Sequence, residues 1–270
     1  MENMFKKRFV DTVVNISLFA ILFIAMQLVA VMAVRVLPVG DNSELVRLVA
    51  YTISMLLTLV VVKWYMRKSG VERVVMRKAS GLNPIVILSG VVILIALSVL
   101  LSPLNELLPP DSREFGDSAW TLIMVVAVAP IFEEILFRGL LYNLLRVTCP
   151  PFVAVLISSI LFGVVHLEPT VIVEGVLVGL LFSYVYLRTK SILAPITLHV
   201  CNNIVAYALA ILSYQEMPLL ESVNGDAYFA YIYSGCALVV VVTLAVIVRF
   251  FIKYRGGIAE TIESQNVERF

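Results

Sequence analysis

The chain is short of nearly everything a water-soluble surface requires. Only 14% of its 270 residues are charged, while 61% are hydrophobic; a soluble domain carries roughly 25% charged residues. That scarcity excludes an ordinary soluble domain and leaves a bundle of membrane spans, each needing about 20 apolar residues. The net charge is only +1, so no excess of positive charge argues for a nucleic-acid partner. Cysteine is nearly absent. Cys149, Cys201 and Cys236 are an odd number without a CxxC, which excludes a disulfide framework and the usual zinc signature. Cys201 reads as a small apolar filler. No serine or cysteine stands in a convincing nucleophile–base arrangement. Histidine is scarcest in the way that matters most, because both copies, His166 and His199, fall inside apolar segments.

What is present is a series of eight apolar runs, at roughly 12–35, 46–66, 83–103, 119–146, 151–167, 171–188, 192–213 and 228–252. The expected fold is an all-α, polytopic transmembrane helix bundle of about eight spans. The first run is longer than the roughly 7–15-residue core of a signal peptide and reads as a retained signal-anchor. Loop charges set the orientation. Lys6, Lys7 and Arg8, then Arg67, Lys68, Arg73, Arg77 and Lys78, then Arg146, Arg188, Lys190, Lys253 and Arg255 mark one side. The alternate loops carry Glu106, Asp111, Glu114 and Asp117 against Arg113 alone, and Glu216, Glu221 and Asp226. The positive side faces the cytoplasm, which places both termini there. The chain divides into three N-terminal spans (1–118), a core of four spans (119–213), and an outer loop with the last span and tail (214–270).

The polar residues concentrate in that core. Ionisable groups in hydrocarbon are expensive and mark function by default. Span four reads Ala129-Pro130-Ile131-Phe132-Glu133-Glu134-Ile135-Leu136-Phe137-Arg138-Gly139. Glu134 and Arg138, four apart, share a helix face and can pair; Glu133 lies about 100° away and is left for chemistry. A purely structural ion-pair cluster would account for Glu134 and Arg138 but not for Glu133. Pro130 cannot donate to the Val126 carbonyl and should kink the helix, and freed backbone groups at membrane depth are tolerated where they line a cavity. Span five ends at His166, with Phe162 one turn earlier as a wall for its ring. Span seven carries His199 and Asn203 on one face. Measured from the cytoplasmic ends, Glu133 and His166 stand about 20 Å up and His199 about 10 Å, so all three can meet in one cavity. Span six adds Glu174, which sits near the outer surface or supplies a second acid, and Gly175 and Gly179, which permit close helix packing.

This constellation suits hydrolysis. Glu133 would act as general base on a water that His166 helps to orient, and His199 with Asn203 would donate to the developing oxyanion. Two histidines and two glutamates are also a possible zinc set, with metal-free chemistry preferred. Taken in order, Glu133-Glu134-x-x-x-Arg138-Gly139, Phe162-x-x-x-His166 and His199-x-x-x-Asn203, with Arg188-Thr189-Lys190-Ser191-Ile192-Leu193-Ala194-Pro195-Ile196 before the last, resemble the family of type II CAAX prenyl endopeptidases and bacteriocin-processing enzymes (the CPBP or ABI family). The resemblance covers about 119–210. It implies a glutamate-dependent intramembrane endopeptidase without cofactor, with Glu133 and His166 activating water, His199 and Asn203 binding the oxyanion, and Glu134 and Arg138 in support. Its substrate would be a membrane-associated protein or peptide, in the plasma membrane. Two other classes compete. One is an inactive immunity or scaffold protein that keeps the fold without turnover. The other is an ion-coupled transporter, disfavoured because such proteins show broken helices in two related halves whereas the polar residues here crowd into one.

Overall fold

A computed structural model describes residues 2–36, 43–68, 82–107, 118–214 and 226–267. Eight helices make up nearly all of the described residues, and no strand is found among them: α1 (Glu2–Val36), α2 (Ser43–Lys68), α3 (Pro84–Leu107), α4 (Ala119–Leu145), α5 (Pro151–Val164), α6 (Pro169–Thr189), α7 (Leu193–Tyr214) and α8 (Asp226–Val267). Six of them, α1, α2, α3, α4, α6 and α8, contain segments long and apolar enough to cross a membrane. The protein is therefore an integral membrane protein, and its exposed apolar side chains, among them Ile21, Leu28, Val60, Leu88 and Val241, suit a hydrocarbon surrounding. Helix α5 differs. Its 14 residues rise about 21 Å, short of the roughly 30 Å hydrocarbon core. The stretch expected to span as 151–167 is thus a short helix, and His166 lies in the turn after it. The charged segments on which the orientation rests, with Arg73, Arg77, Lys78, Asp111, Arg113, Glu114, Asp117, Glu216 and Glu221, lie outside the described residues.

The helix ends follow local chemistry. Ser118 caps α4, its hydroxyl accepting the Thr121 amide at 3.3 Å. Prolines open α5 and α6, where their missing N–H costs nothing. Lys190 ends α6 in the left-handed region at φ 56°, and Leu167 takes φ 66° in the turn between α5 and α6.

Helices α5 and α6 pack most closely of all. A Cβ on Gly175 would lie 2.9 Å from Gly163 Cα, and one on Gly163 would lie 2.5 Å from the Ile172 carbonyl. Only glycine at both positions lets the two backbones touch, which is how helices associate where no hydrophobic force separates lipid from leucine. Around this pair the buried apolar residues form two clusters. One joins α1, α2, α4 and α5 through Phe19, Met55, Phe137, Leu141 and Phe162. The other joins α3, α6 and α7 through Leu94, Leu97, Phe182 and Leu198. Helix α4 contacts both α2 and α7, so its middle turn, bearing Glu133 and Glu134, faces polar groups from either side.

Candidate active site

Helix α4 is not a uniform α-helix. It widens twice to i→i−5 bonding, at Met124–Val128 and Ile135–Leu141, on either side of Glu133 and Glu134. Single π-helical turns of this kind cluster at functional sites. The first has a consequence for Pro130. In the π register the Ala129 amide reaches the Met124 carbonyl, so the next residue, Pro130, would have served Val125 and has no hydrogen to give. The orphan is the Val125 carbonyl rather than Val126, as the α-helical register predicts. Asn203 supplies the missing donor, with Nδ2 2.8 Å from Val125 O. In the second widened stretch, Asn143 Nδ2 donates to the Arg138 and Gly139 carbonyls at 3.1 and 2.8 Å.

Behind the site is a buried charge network. Arg138 Nη1 donates to Glu134 Oε1 at 2.8 Å, the i,i+4 pair expected from spacing. The same oxygen accepts from His199 Nδ1 at 3.0 Å. Arg138 Nη2 donates to the Gly179 carbonyl at 3.1 Å, and the guanidinium lies 4.4 Å over the Phe162 ring and 5.6 Å from that of Phe182. Glu134 and Arg138 are 0% and 1% exposed, so this cation is neutralised by one carboxylate, one carbonyl and two aromatic faces. The Phe162 and Phe182 rings also flank His199, at 5.6 and 5.2 Å.

These contacts fix the imidazoles. His166 Nδ1 is 2.8 Å from the Phe162 carbonyl. A carbonyl only accepts, so Nδ1 holds the proton and Nε2 presents a lone pair in the neutral ring. Phe162 also walls this ring edge-on at 5.2 Å. His199 Nδ1 likewise donates to Glu134, and its Nε2 faces Glu133 Oε2 at 3.8 Å. That gap is too long for a direct hydrogen bond and is one that a water contacting both groups can bridge. Glu133 turns its other oxygen to Tyr51, whose hydroxyl donates at 3.2 Å.

Glu133, His166, His199 and Asn203 thus line a single cavity of about 260 Å³, together with Glu174, Gly175, Asn202 and Tyr207. Glu134 and Arg138 stand behind its wall. Glu174, for which two positions were open, lies on the cavity. Two participants were missed in the sequence. Tyr51 comes from α2, where a lone tyrosine in an apolar run carries no signal of what it faces. The widened turns of α4 follow from no sequence pattern except the proline. Glu134 Oε1 accepts from both Arg138 Nη1 and His199 Nδ1, so the ionisable groups left facing the cavity from these elements are Glu133 and the Nε2 atoms of the two histidines. All three cysteines are free thiols; Cys201, read as a filler, lines a smaller recess beside Glu174 and Asn202.

Residues 115–205, about a third of the chain, match the family model described as Type II CAAX prenyl endopeptidase Rce1-like. Comparison with curated proteins and with solved structures returns no match.

Proposed function

We propose that the protein is an intramembrane endopeptidase that hydrolyses a peptide bond of a membrane-associated protein or peptide, by CAAX-type or leader-type processing in the plasma membrane; the similarity of residues 115–205 to the Rce1-like family model supports this reading. The observation that carries this reading is the cavity itself. It collects two carboxylates outside the buried ion pair, Glu133 and Glu174, with two imidazoles whose Nδ1 atoms are committed, the amides of Asn202 and Asn203, and Tyr207.

Glu133 Oε2 takes a proton from a water in the gap between itself and His199 as the water oxygen attacks the scissile carbonyl carbon. His166 Nε2 accepts the water's second hydrogen and so aims its lone pair. Negative charge then develops on the carbonyl oxygen. Asn203 holds one amide hydrogen on Val125 and has a second to donate to it. His199 donates through Nε2 when its ring carries both protons, since Nδ1–H is committed to Glu134. Glu133 finally returns its proton to the leaving amine, which restores the carboxylate. Tyr51 positions Glu133, and Glu134 with Arg138 positions His199. No step requires a metal or another cofactor.

The test uses the full chain in proteoliposomes with a fluorogenic peptide, prenylated or not, and mass spectrometry of the products. Glu133→Gln keeps the shape and the Tyr51 contact but removes the base, and should lower the rate at least about 100-fold at unchanged folding. Full activity in that variant refutes the mechanism. A cellular phenotype that survives Glu133→Gln at equal membrane abundance would instead favour an immunity or scaffold role.

A further inference from the structure

A second cavity lies on the other side of Tyr51. It is an open groove of about 310 Å³ between α1, α2 and the first turns of α4, at the lower end of the roughly 300–1,000 Å³ spanned by ligand sites. Its walls are mostly apolar, built from Ala30, Val31, Val34, Ala50 and Met124, with Gln27 the one polar amide among them. Among the described residues its only charged lining residues are Arg35 and Arg47. Arg35 stands in the last turn of α1 and Arg47 just inside the start of α2, so both belong to the end of the bundle away from the chain's N-terminus. Neither arginine has a hydrogen-bond or ion-pair partner among the described residues, and both are exposed. Tyr51 lies one turn deeper than Arg47, at the groove's inner end, and donates to Glu133 on its far side.

Apolar walls running down from a pair of guanidiniums without partners among the described residues match the two halves of a single class of molecule. We propose that this groove is a binding site for an anionic phospholipid, with one acyl chain against the α1–α2–α4 walls and the headgroup phosphate on Arg35 and Arg47. Guanidiniums are suited to this role because their donor forks match phosphate oxygens in pairs. A zwitterionic lipid fills the same walls but offers the arginines no net charge. The site should therefore select by headgroup and not by chain. Each arginine near a membrane surface contributes roughly fivefold toward anionic lipid, and the pair roughly 30-fold.

Lipid retention needs no turnover, so the inference stands apart from the peptidase reading. The full chain, purified in detergent, would be mixed with phosphatidylglycerol and phosphatidylcholine of identical chains and the retained lipid measured by native mass spectrometry. The wild type should keep phosphatidylglycerol preferentially, and excess inorganic phosphate should not displace it. Arg35→Gln with Arg47→Gln should remove that preference, whereas Arg67→Gln with Lys68→Gln, at the opposite end of α2, should keep it. Ala50→Phe fills the groove while sparing both arginines and should also abolish retention. Equal retention of the two lipids by the wild type, an unchanged preference in the double arginine variant, or full retention in Ala50→Phe would each overturn the proposal. Displacement by inorganic phosphate would overturn it too, in favour of a simple anion site.

Discussion

Two adjacent glutamates should fail in opposite ways, and Glu134 is the more exacting test. Its Oε1 accepts from Arg138 at 2.8 Å and from His199 at 3.0 Å, with both charged side chains at most 1% exposed. In Glu134→Ala the guanidinium retains only the Gly179 carbonyl and the faces of Phe162 and Phe182. A buried cation stripped of its counter-charge costs about 3–5 kcal/mol, and the His199 Nδ1–H loses its acceptor as well. Removing both charges, in Glu134→Gln with Arg138→Met, should recover much of that loss, because apolar replacement of a whole buried pair is often neutral. The assay is denaturant or thermal unfolding of the purified chain in detergent, followed by helical circular dichroism. Glu133→Gln is the control; its carboxylate lies at the cavity surface, and its stability should stay within about 0.5 kcal/mol of wild type. A loss below about 1 kcal/mol in Glu134→Ala, or a double variant no more stable than Glu134→Ala, would show that the network does not carry the charge of Arg138.

Other outcomes follow from single contacts. Tyr51→Phe should unfold no more easily than wild type by more than about 1 kcal/mol, yet lower kcat with little change in KM and alter the pH–rate profile, since it frees one oxygen of Glu133; identical profiles would remove Tyr51 from the site. Gly163→Ala forces a Cβ to 2.5 Å from the Ile172 carbonyl and should part α5 from α6, seen as lost membrane abundance; normal abundance with normal activity would contradict the packing. Ser158 donates to the Phe137 carbonyl at 3.0 Å, whereas the buried Ser159 hydroxyl has no partner among the described residues. Ser158→Ala should therefore cost about 1 kcal/mol and Ser159→Ala nothing, and the reverse order in an unfolding series would refute that assignment.

Several contacts around the candidate site were legible from spacing. Four residues on an α-helix bring side chains to one face, so Glu134 with Arg138 could be paired on paper and are paired in the structure. The same rule set Glu133 apart from them, and Phe162 beside His166. Where the helix departs from 3.6 residues per turn the rule loses its grip. The widened turn at Met124–Val128 moved the orphaned carbonyl from Val126 to Val125, and with it the partner of Asn203. His166 was read as the end of a span; the helix stops two residues earlier, and the histidine is held by the carbonyl it folds back upon. Spacing along one helix also says nothing about its neighbours, which is why Tyr51 could not be anticipated from α2.

The sequence by itself determined that this chain lives in a membrane, that it is helical throughout its core, and which few ionisable side chains are too costly there to be ornamental. Those are one-dimensional properties: composition decides the solvent, and the backbone's need for internal hydrogen bonds in lipid leaves helices as the answer. Only the tertiary structure decided that the Glu134–Arg138 pair also holds His199, which imidazole nitrogen holds its proton, and that a tyrosine eighty-two residues away touches the candidate base. Those depend on which faces of different helices meet, and that is set by packing details such as the glycine contact of α5 with α6, which no pattern along a single helix encodes.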